Sequence, residues 1–140
     1  MIILDTNVLS ELMRSEPSPS VLAWVARQPA MELCTTSITE AEILYGIELL
    51  IKSKRRDGLL EAAEAMFAED LAGHIFGFES DAARVFSKIA AHRRAVGRPI
   101  SHADAQIAAI AKVRGAKLAT RNVGDFEDCG LDVVDPWNVS

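Results

Sequence analysis

Short apolar segments alternate with longer helical patterns along this 140-residue chain, and this alternation limits its fold more than any other feature. Strand-like runs are expected at residues 1–4, 33–36, 75–78, 117–120 and 133–134. Between them apolar residues recur three or four positions apart, which predicts helices at residues 6–14, 19–28, 40–55, 59–71, 81–96 and 101–115. Strands joined by helical crossovers predict a mainly parallel sheet covered on both faces. We therefore predict one three-layer α/β/α domain over residues 1–140, with four to five strands.

Local signals indicate where the helices begin. The expected caps are Ser18, Thr39, Ser80 and Ser101. Pro19 suits the first helical position after Ser18. Glu42 follows Thr39 at the spacing of a capping box, in which the acid reaches back to the start of its helix, and Asp104 follows Ser101 in the same way. Gly58 is expected to separate the helical patterns on either side of it.

Composition is that of an ordinary globular protein, with 49 % hydrophobic and 25 % charged residues. No apolar run approaches the roughly 20 residues that cross a bilayer. The apolar start lacks a preceding basic segment and a cleavage site, so we do not expect a signal peptide. Cys34 and Cys129 have no metal-binding spacing, which predicts reduced thiols and a cytoplasmic location.

Four acidic residues follow the strand-like runs or lie in the helices that begin next to them: Asp5, Glu42, Asp104 and Asp125. Each taken alone is also explained as a helix cap. The carboxyl ends of parallel strands converge on one crevice, however, so these side chains are expected to meet there. Crowded carboxylates repel one another unless a cation lies between them, and oxygen ligands suit Mg²⁺ or Mn²⁺. The residues therefore predict a metal-dependent enzyme that acts on phosphate esters.

Basic residues cluster despite the formal net charge of −5. The candidates for a basic rim around the acidic pocket are Lys52, Lys54, Arg55, Arg56, Arg93, Arg94 and Arg98. Cations at helix ends also complement the helix dipole without any ligand. The functional alternative is that they hold a phosphate backbone.

Four motifs resemble the signatures of a known family. Ile2-Ile3-Leu4-Asp5-Thr6-Asn7-Val8-Leu9 and Ser37-Ile38-Thr39-Glu40-Ala41-Glu42-Ile43, with Gly46, resemble the first two signatures of the PIN-domain family. Asp104-Ala105-Gln106-Ile107-Ala108-Ala109 and Thr120-Arg121-Asn122-Val123-Gly124-Asp125-Phe126 resemble the third and fourth. The similarity continues to about residue 137 through Val134-Asp135-Pro136-Trp137. Within the family, the chain resembles the VapC-type toxins of prokaryotic toxin–antitoxin modules, especially the FitB-like branch.

The resemblance implies a PIN-like domain that acts as a Mg²⁺- or Mn²⁺-dependent endoribonuclease. Its implied partners are an RNA substrate, a cognate antitoxin that inhibits it and a second copy of the chain, with a larger toxin–antitoxin assembly as an extension. Asp5, Glu42 and Asp104 match the regular family acids. The fourth metal-site group is either Asn122 or Asp125, and we assign the charge to Asp125. The matching polar positions, which are expected to hold the acids or the phosphate, are Thr6, Asn7 and Thr120.

The expected chemistry uses one or two cations to bind the scissile phosphate and lower the pKa of a bound water. Asp5 and Asp104 are the expected central ligands, because Mg²⁺ usually takes only one or two protein carboxylates. Glu42 and Asp125 would then act through water or bind a second ion. One alternative is a phosphatase or phosphotransferase of the haloacid-dehalogenase type, although Asn7 stands where that class needs a second Asp. Another alternative is a PIN-like binding module without catalysis.

Overall fold

Five parallel strands form the centre of the protein in a computed structural model that describes residues 1–139. Residue 140, the last of the predicted domain, lies outside the described residues. The strands are β1 (Ile2–Leu4), β2 (Leu33–Thr36), β3 (Ile75–Phe76), β4 (Lys117–Ala119) and β5 (Val133–Val134). Their order in the sheet is β3-β2-β1-β4-β5, and every neighbouring pair is parallel. The predicted parallel sheet is confirmed.

The helices of the described residues are α1 (Thr6–Leu12), α2 (Pro19–Ala26), α3 (Ser37–Glu48), α4 (Lys54–Ala65), α5 (Ser80–Ala95) and α6 (His102–Val113). Short 3₁₀ turns occupy Ala30–Glu32 and Val123–Phe126, and a π-helical turn, Met66–Asp70, follows α4. Among residues 1–139, none of these helices has the length and apolar character needed to cross a membrane.

Two apolar layers lie on opposite faces of the sheet. Successive side chains of a strand point to opposite faces, so Ile2 and Leu4 pack with the apolar residues of α1 to α4. Ile3, between them, packs instead with α5 and α6, where Ile107 and Ile110 are almost completely buried. Burial on both faces explains why the strands read as continuous apolar runs rather than as alternating ones. The three-layer arrangement predicted from the sequence is therefore confirmed.

The order in which strands are added to the sheet changes side between β1 and β4, although all strands stay parallel. From β1 the chain moves outward through β2 and β3, and it then returns to the other side of β1 as β4. Ligand sites of open parallel sheets lie in the crevice at such a switch point. Asp5 begins this crevice, and its backbone N–H donates to Ala119 O over 2.9 Å. The topology therefore places Asp5 at the centre of the candidate site.

The boundary between α3 and α4 differs from the prediction. The predicted helix 40–55 ends at Glu48, and Ser53 caps a new helix by accepting a hydrogen bond from the Arg56 backbone N–H over 3.2 Å. Gly58 lies inside α4 and does not interrupt it. The Arg56 side chain fixes the break, because it donates to Ile47 O over 3.2 Å and pairs with Glu48 over 3.0 Å.

Two helix caps also differ from the prediction. Thr36 caps α3 by accepting from the backbone N–H of Thr39 over 3.1 Å, so the Thr39–Glu42 capping box is wrong. Ser80 is the first residue of α5 and not its cap. The cap of α6 is confirmed, because the Ser101 hydroxyl accepts from the Asp104 backbone N–H over 3.1 Å.

Candidate active site

Asp5 follows β1 directly and is only 5 % exposed. One carboxylate oxygen accepts from the Thr6 backbone N–H over 2.8 Å, and the other accepts from the Thr120 hydroxyl over 2.7 Å. Burial raises the pKa of the Asp5 carboxyl, and the charges of Asp104 and Glu42 raise it further against the opposing effect of these hydrogen bonds. Asp5 is thus held in one orientation at a position where its negative charge is unfavourable.

Asn7 and Thr120 connect the end of β1 with the end of β4. The Asn7 amide donates to Thr120 Oγ1 over 3.2 Å and approaches Asp5 Oδ2 at 3.4 Å. Its Oδ1 accepts from the Arg121 backbone N–H over 3.1 Å. Thr120 Oγ1 also accepts from the Asn122 backbone N–H over 3.1 Å. Both side chains are therefore committed to holding Asp5 and the residues that follow β4.

Thr6 orients Glu42 through a hydrogen bond, as Thr120 orients Asp5. Its hydroxyl donates to Glu42 Oε1 over 2.7 Å and lies 3.2 Å from the hydroxyl oxygen of Thr39. Glu42 is exposed on the side of α3 that faces α1. A hydrogen bond across two helices, rather than a capping box, therefore fixes this carboxylate beside Asp5.

Asp104 lies in the first turn of α6 and is half-buried. Burial raises the pKa of its carboxyl, and the charges of Asp125 and Glu42 add to this effect. The Ser101 hydroxyl and the positive charge of Arg93 act in the opposite direction. Asp104 therefore lies within electrostatic range of Asp5, Glu42 and Asp125, although the four acids come from distant parts of the chain.

The donor set of this site consists of carboxylate oxygens, with hydroxyl and amide groups beside them. Across residues 1–139, no three His, Cys, Asp or Glu side chains stand close enough together to hold an ion jointly. Mg²⁺ normally keeps several waters and takes one or two protein carboxylates. Asp5 and Asp104 are carboxylates whose charges are disfavoured by their surroundings, which a divalent cation would reverse. The residues present therefore fit a hard divalent ion.

Asn122 and Asp125 lie in the segment after β4, and both are exposed. Asn122 precedes the 3₁₀ turn and accepts from the Asp125 backbone N–H through its carbonyl over 3.0 Å. The charge of Asp125 contributes to the raised pKa of Asp104. The assignment of the fourth metal-site group to one of these two residues stays a prediction.

An apolar cleft of about 850 Å³ opens beside the acids, between α1, α3 and α4. Thr6 and Glu42 form its end at the acidic pocket, and Arg14 and Arg55 contribute charged side chains to its wall. The rest of the lining is mostly aliphatic, with Met13, Ile43, Ile47, Leu50, Leu59 and Ala62. The cleft was not predicted from the sequence. No local motif marks its lining residues, because only the packing of three helices brings them together.

The predicted basic rim is partly wrong. Arg93 is 4 % exposed and donates to backbone carbonyls inside the protein, so it is not available at the surface. Arg56 is occupied by its contacts between α3 and α4, and Arg98 forms an ion pair with Glu127. Arg98 is nevertheless exposed, as are the other members of the predicted rim, Lys52, Lys54, Arg55 and Arg94.

Arg121 is a cation near the site that the sequence analysis did not select. It follows Thr120 directly, and its guanidinium stacks over the Trp137 ring at 4.9 Å from the centroid. Its place between Thr120 and Asn122 in the fourth motif was a signal that could have identified it.

Known proteins are similar to this chain in both sequence and fold. The PIN domain model matches residues 2–129. The chain is 39 % identical over 137 residues to "VapC ribonuclease Y4jK" of Sinorhizobium fredii, with 98 % of each chain covered. It is 35 % identical over 138 residues to "Toxin FitB" of Neisseria gonorrhoeae, with 99 % of each covered. A solved structure of FitAB bound to an IR36 DNA fragment superposes with a TM-score of 0.94 at 34 % identity, covering 100 % of this chain and 98 % of the other.

The parallel sheet, with Asp5 at the point where the strand order changes side, defines an α/β protein with a candidate site at the carboxyl ends of its strands. The PIN domain match agrees with this fold. The chain belongs to the PIN domain family. Within that family its relatives include proteins named as VapC and FitB toxins, which it matches over nearly their whole length.

Proposed function

We propose that this protein is a metal-dependent endoribonuclease and the toxin of a type II toxin–antitoxin system. The observation that carries the proposal is that the charge of Asp104 acts on Asp5, and those of Glu42 and Asp125 act on Asp104, around the crevice at the end of β1. The similarity to a protein named VapC ribonuclease supports RNA as the substrate. Acids without a nearby nucleophilic Ser–His or Cys–His arrangement among the described residues suit hydrolysis of a phosphodiester by water.

The residues divide into ligands and groups that orient them. Asp5 and Asp104 would bind a Mg²⁺ or Mn²⁺ ion, with Glu42 and Asp125 acting through water or at a second ion. The bound ion would supply positive charge for the phosphate and lower the pKa of a water. Thr120 orients Asp5 over 2.7 Å, and Thr6 orients Glu42 over the same distance.

A haloacid-dehalogenase-type phosphatase has little support. That class needs a carboxylic acid two residues after the first Asp, and this chain has Asn7 there. The Asn7 side chain bonds to Thr120 and to the Arg121 backbone, so it holds the site together and cannot exchange a proton as an acid would.

Cleavage of RNA tests the proposal. The purified protein is incubated with total RNA in Mn²⁺ or in excess EDTA, together with Asp104→Asn and, as the matched control, Asp132→Asn. Asp132 is exposed and lies next to β5 at the amino ends of the strands, away from the crevice. We expect wild type and the control to cleave in Mn²⁺, and Asp104→Asn to be inactive. Full cleavage in EDTA would contradict the metal mechanism, and absence of cleavage in Mn²⁺ would favour a binding module without catalysis.

An antitoxin that blocks the acidic pocket completes the proposal. The apolar cleft ends at Thr6 and Glu42, so an apolar segment bound there would bring a cationic side chain to the carboxylates. An Arg side chain suits this task because its guanidinium pairs with a carboxylate through two hydrogen bonds. Expression of the protein alone is expected to arrest bacterial growth, and co-expression of a small neighbouring gene product is expected to relieve the arrest. Normal growth at high expression of wild type would contradict the toxin assignment.

A homodimer is the expected assembly. The end of α3 and the residues after it expose apolar side chains that a second copy could cover, with Tyr45 65 %, Leu49 67 % and Ile51 88 % exposed. Sedimentation equilibrium of wild type and Ile51→Glu tests this part. We expect a dimer for wild type and weaker association for the variant, and a monomeric wild type at micromolar concentration would contradict it.

A further inference from the structure

Arg93 is a buried cation without a carboxylate partner among the described residues. It lies in the last turn of α5 and is 4 % exposed. Its Nε donates to Arg98 O over 2.7 Å, and its Nη1 donates to Asp125 O over 2.7 Å and to Glu127 O over 3.0 Å. Buried charges are normally paired, because removing a charge from water is costly. The guanidinium of Arg93 is satisfied by backbone carbonyls instead, so the owners of these carbonyls indicate what Arg93 holds in place.

The carbonyls that Arg93 binds belong mainly to the segment that carries Asp125. This segment has little regular structure to hold it, because it consists of the 3₁₀ turn Val123–Phe126 and an irregular stretch with Asp128 at a φ of 59°. Its own backbone bonds are local, from Asp125 N to Asn122 O over 3.0 Å and from Glu127 N to Gly124 O over 3.4 Å. Arg93 thus joins the segment to α5, which packs along α6.

The helix that carries Arg93, α5, packs against α6, whose first turn holds Asp104. Asp104 lies in that turn, and the positive charge of Arg93 acts on its carboxyl. One guanidinium therefore binds the backbone of Asp125 and lies within electrostatic range of Asp104. The hydrogen bond from Arg93 to Asp125 is to the backbone carbonyl of that residue.

We propose that Arg93 is a positioning residue that fixes Asp125 relative to Asp104 by clamping the 125–129 segment through its carbonyls. This role rests on the proposed function, in which both acids serve one metal site. The planar fork of Arg donates in several fixed directions at once, whereas the ammonium group of Lys is a point charge and cannot reproduce them. Arg93→Lys therefore keeps the charge and loses the clamp.

The test compares Arg93→Lys and Arg93→Met with the matched controls Arg84→Lys and Arg84→Met. Arg84 is exposed on the same helix. Three experiments are made on each protein: hydrogen exchange of the amides in residues 122–129 and in the sheet, titration with Mn²⁺ for its affinity, and RNA cleavage kinetics for kcat and KM. The first two do not depend on catalysis, so they test Arg93 even if wild type fails to cleave RNA and the proposed function is wrong.

We expect Arg93→Lys to exchange faster only in residues 122–129 and to lose about 10- to 100-fold in kcat and Mn²⁺ affinity, as is typical when a group that orients metal ligands is removed. KM for RNA should stay unchanged, and both Arg84 variants should behave as wild type. Unchanged exchange and Mn²⁺ affinity in Arg93→Lys would overturn the proposal. Faster exchange throughout the sheet in Arg93→Lys would overturn it as well, because Arg93 would then be a general stabiliser of the fold. Arg93→Met extends the series if it folds.

Discussion

At the scale of single residues, burial disfavours the ionised form of two carboxylates of the site. Neutral side chains hold the carboxylates in place. Burial raises the pKa of both Asp5 and Asp104. Thr120 and Thr6 donate hydrogen bonds that orient the acids without neutralising them. Such a site is less stable when empty than a neutral one would be, and a bound cation would remove that cost.

A pH-dependent stability follows for the metal-free protein. A carboxyl whose pKa is higher in the folded protein than in the unfolded chain stabilises the fold at low pH, and this stabilisation is lost as the pH rises through the raised value. We expect the free energy of unfolding in EDTA to fall as the pH rises from the ordinary value of 3.8 through the raised pKa of Asp104. Asp104→Asn should be more stable than wild type at pH 7 in EDTA, with the difference shrinking at lower pH. Urea unfolding across this pH range measures it.

Metal provides the control for this prediction. Saturating Mn²⁺ binds only the folded protein, so it should stabilise wild type more than Asp104→Asn. A variant that is less stable than wild type at pH 7 in EDTA would contradict the electrostatic account of Asp104.

Thr120 offers a second test at this scale. Thr120→Val keeps the shape of the side chain and removes the hydroxyl that donates to Asp5 and accepts from Asn7 and Asn122. We expect RNA cleavage to fall about 10- to 100-fold, because Asp5 loses its orienting partner. Thr120→Ser keeps the hydroxyl and should retain most of the activity. Equal rates for Val and Ser in a cleavage assay would show that the hydroxyl does not position Asp5.

At the scale of secondary structure elements, the beginnings of two helices place Asp5 and Asp104 at the crevice. Asp5 and Asp104 both lie at the beginning of a helix, and Ser101 fixes the beginning of α6. We expect Ser101→Ala to lower the free energy of unfolding by about 1 kcal/mol, because the Asp104 backbone N–H loses its partner. Ser101→Thr keeps the cap and serves as the control. Denaturant midpoints that are equal for Ala and Thr would contradict the capping role.

The sequence predicts the elements better than it predicts the interactions between them. Apolar runs and helical spacing identify all five strands and the six helices of the described residues, because burial acts on every residue of an element. The cap of α3 could not be assigned from spacing, since Thr36 and Thr39 are both acceptable caps, and the end of β2 decides between them. The burial of Arg93 was also hidden, because a basic helix end looks solvated until the 125–129 segment covers it.

At the scale of the whole molecule, a net charge of −5 must coexist with binding of a polyanion. Local positive potential next to the acids is therefore required. Arg55 lines the cleft beside Glu42, and Lys54 precedes it on α4. These two exposed cations, together with the exposed Lys52 and Arg94 and unlike the buried Arg93, remain suited to contact phosphates.

Charge reversal tests this surface. The double variant Lys54→Glu and Arg55→Glu should bind single-stranded RNA more weakly and show a shallower salt dependence, by a slope of about 0.7 for each phosphate that the protein no longer neutralises. Arg27→Glu is the control, because Arg27 is exposed and follows α2 on the way to the amino end of β2, opposite the crevice. Mn²⁺ affinity should change little. A salt slope equal to that of wild type in filter binding would remove α4 from the RNA-binding surface.

The proposed activity depends on a divalent cation held by Asp5, which follows β1, and Asp104, in the first turn of α6. Anomalous X-ray scattering locates such an ion directly in crystals of wild type and Asp104→Asn grown in Mn²⁺. We expect an anomalous peak beside the carboxylates of Asp5 and Asp104 in wild type, and a weak peak or none in the variant. A wild-type crystal saturated with Mn²⁺ that shows no peak at this crevice, or a peak of equal height in Asp104→Asn, would contradict a metal site built on these acids.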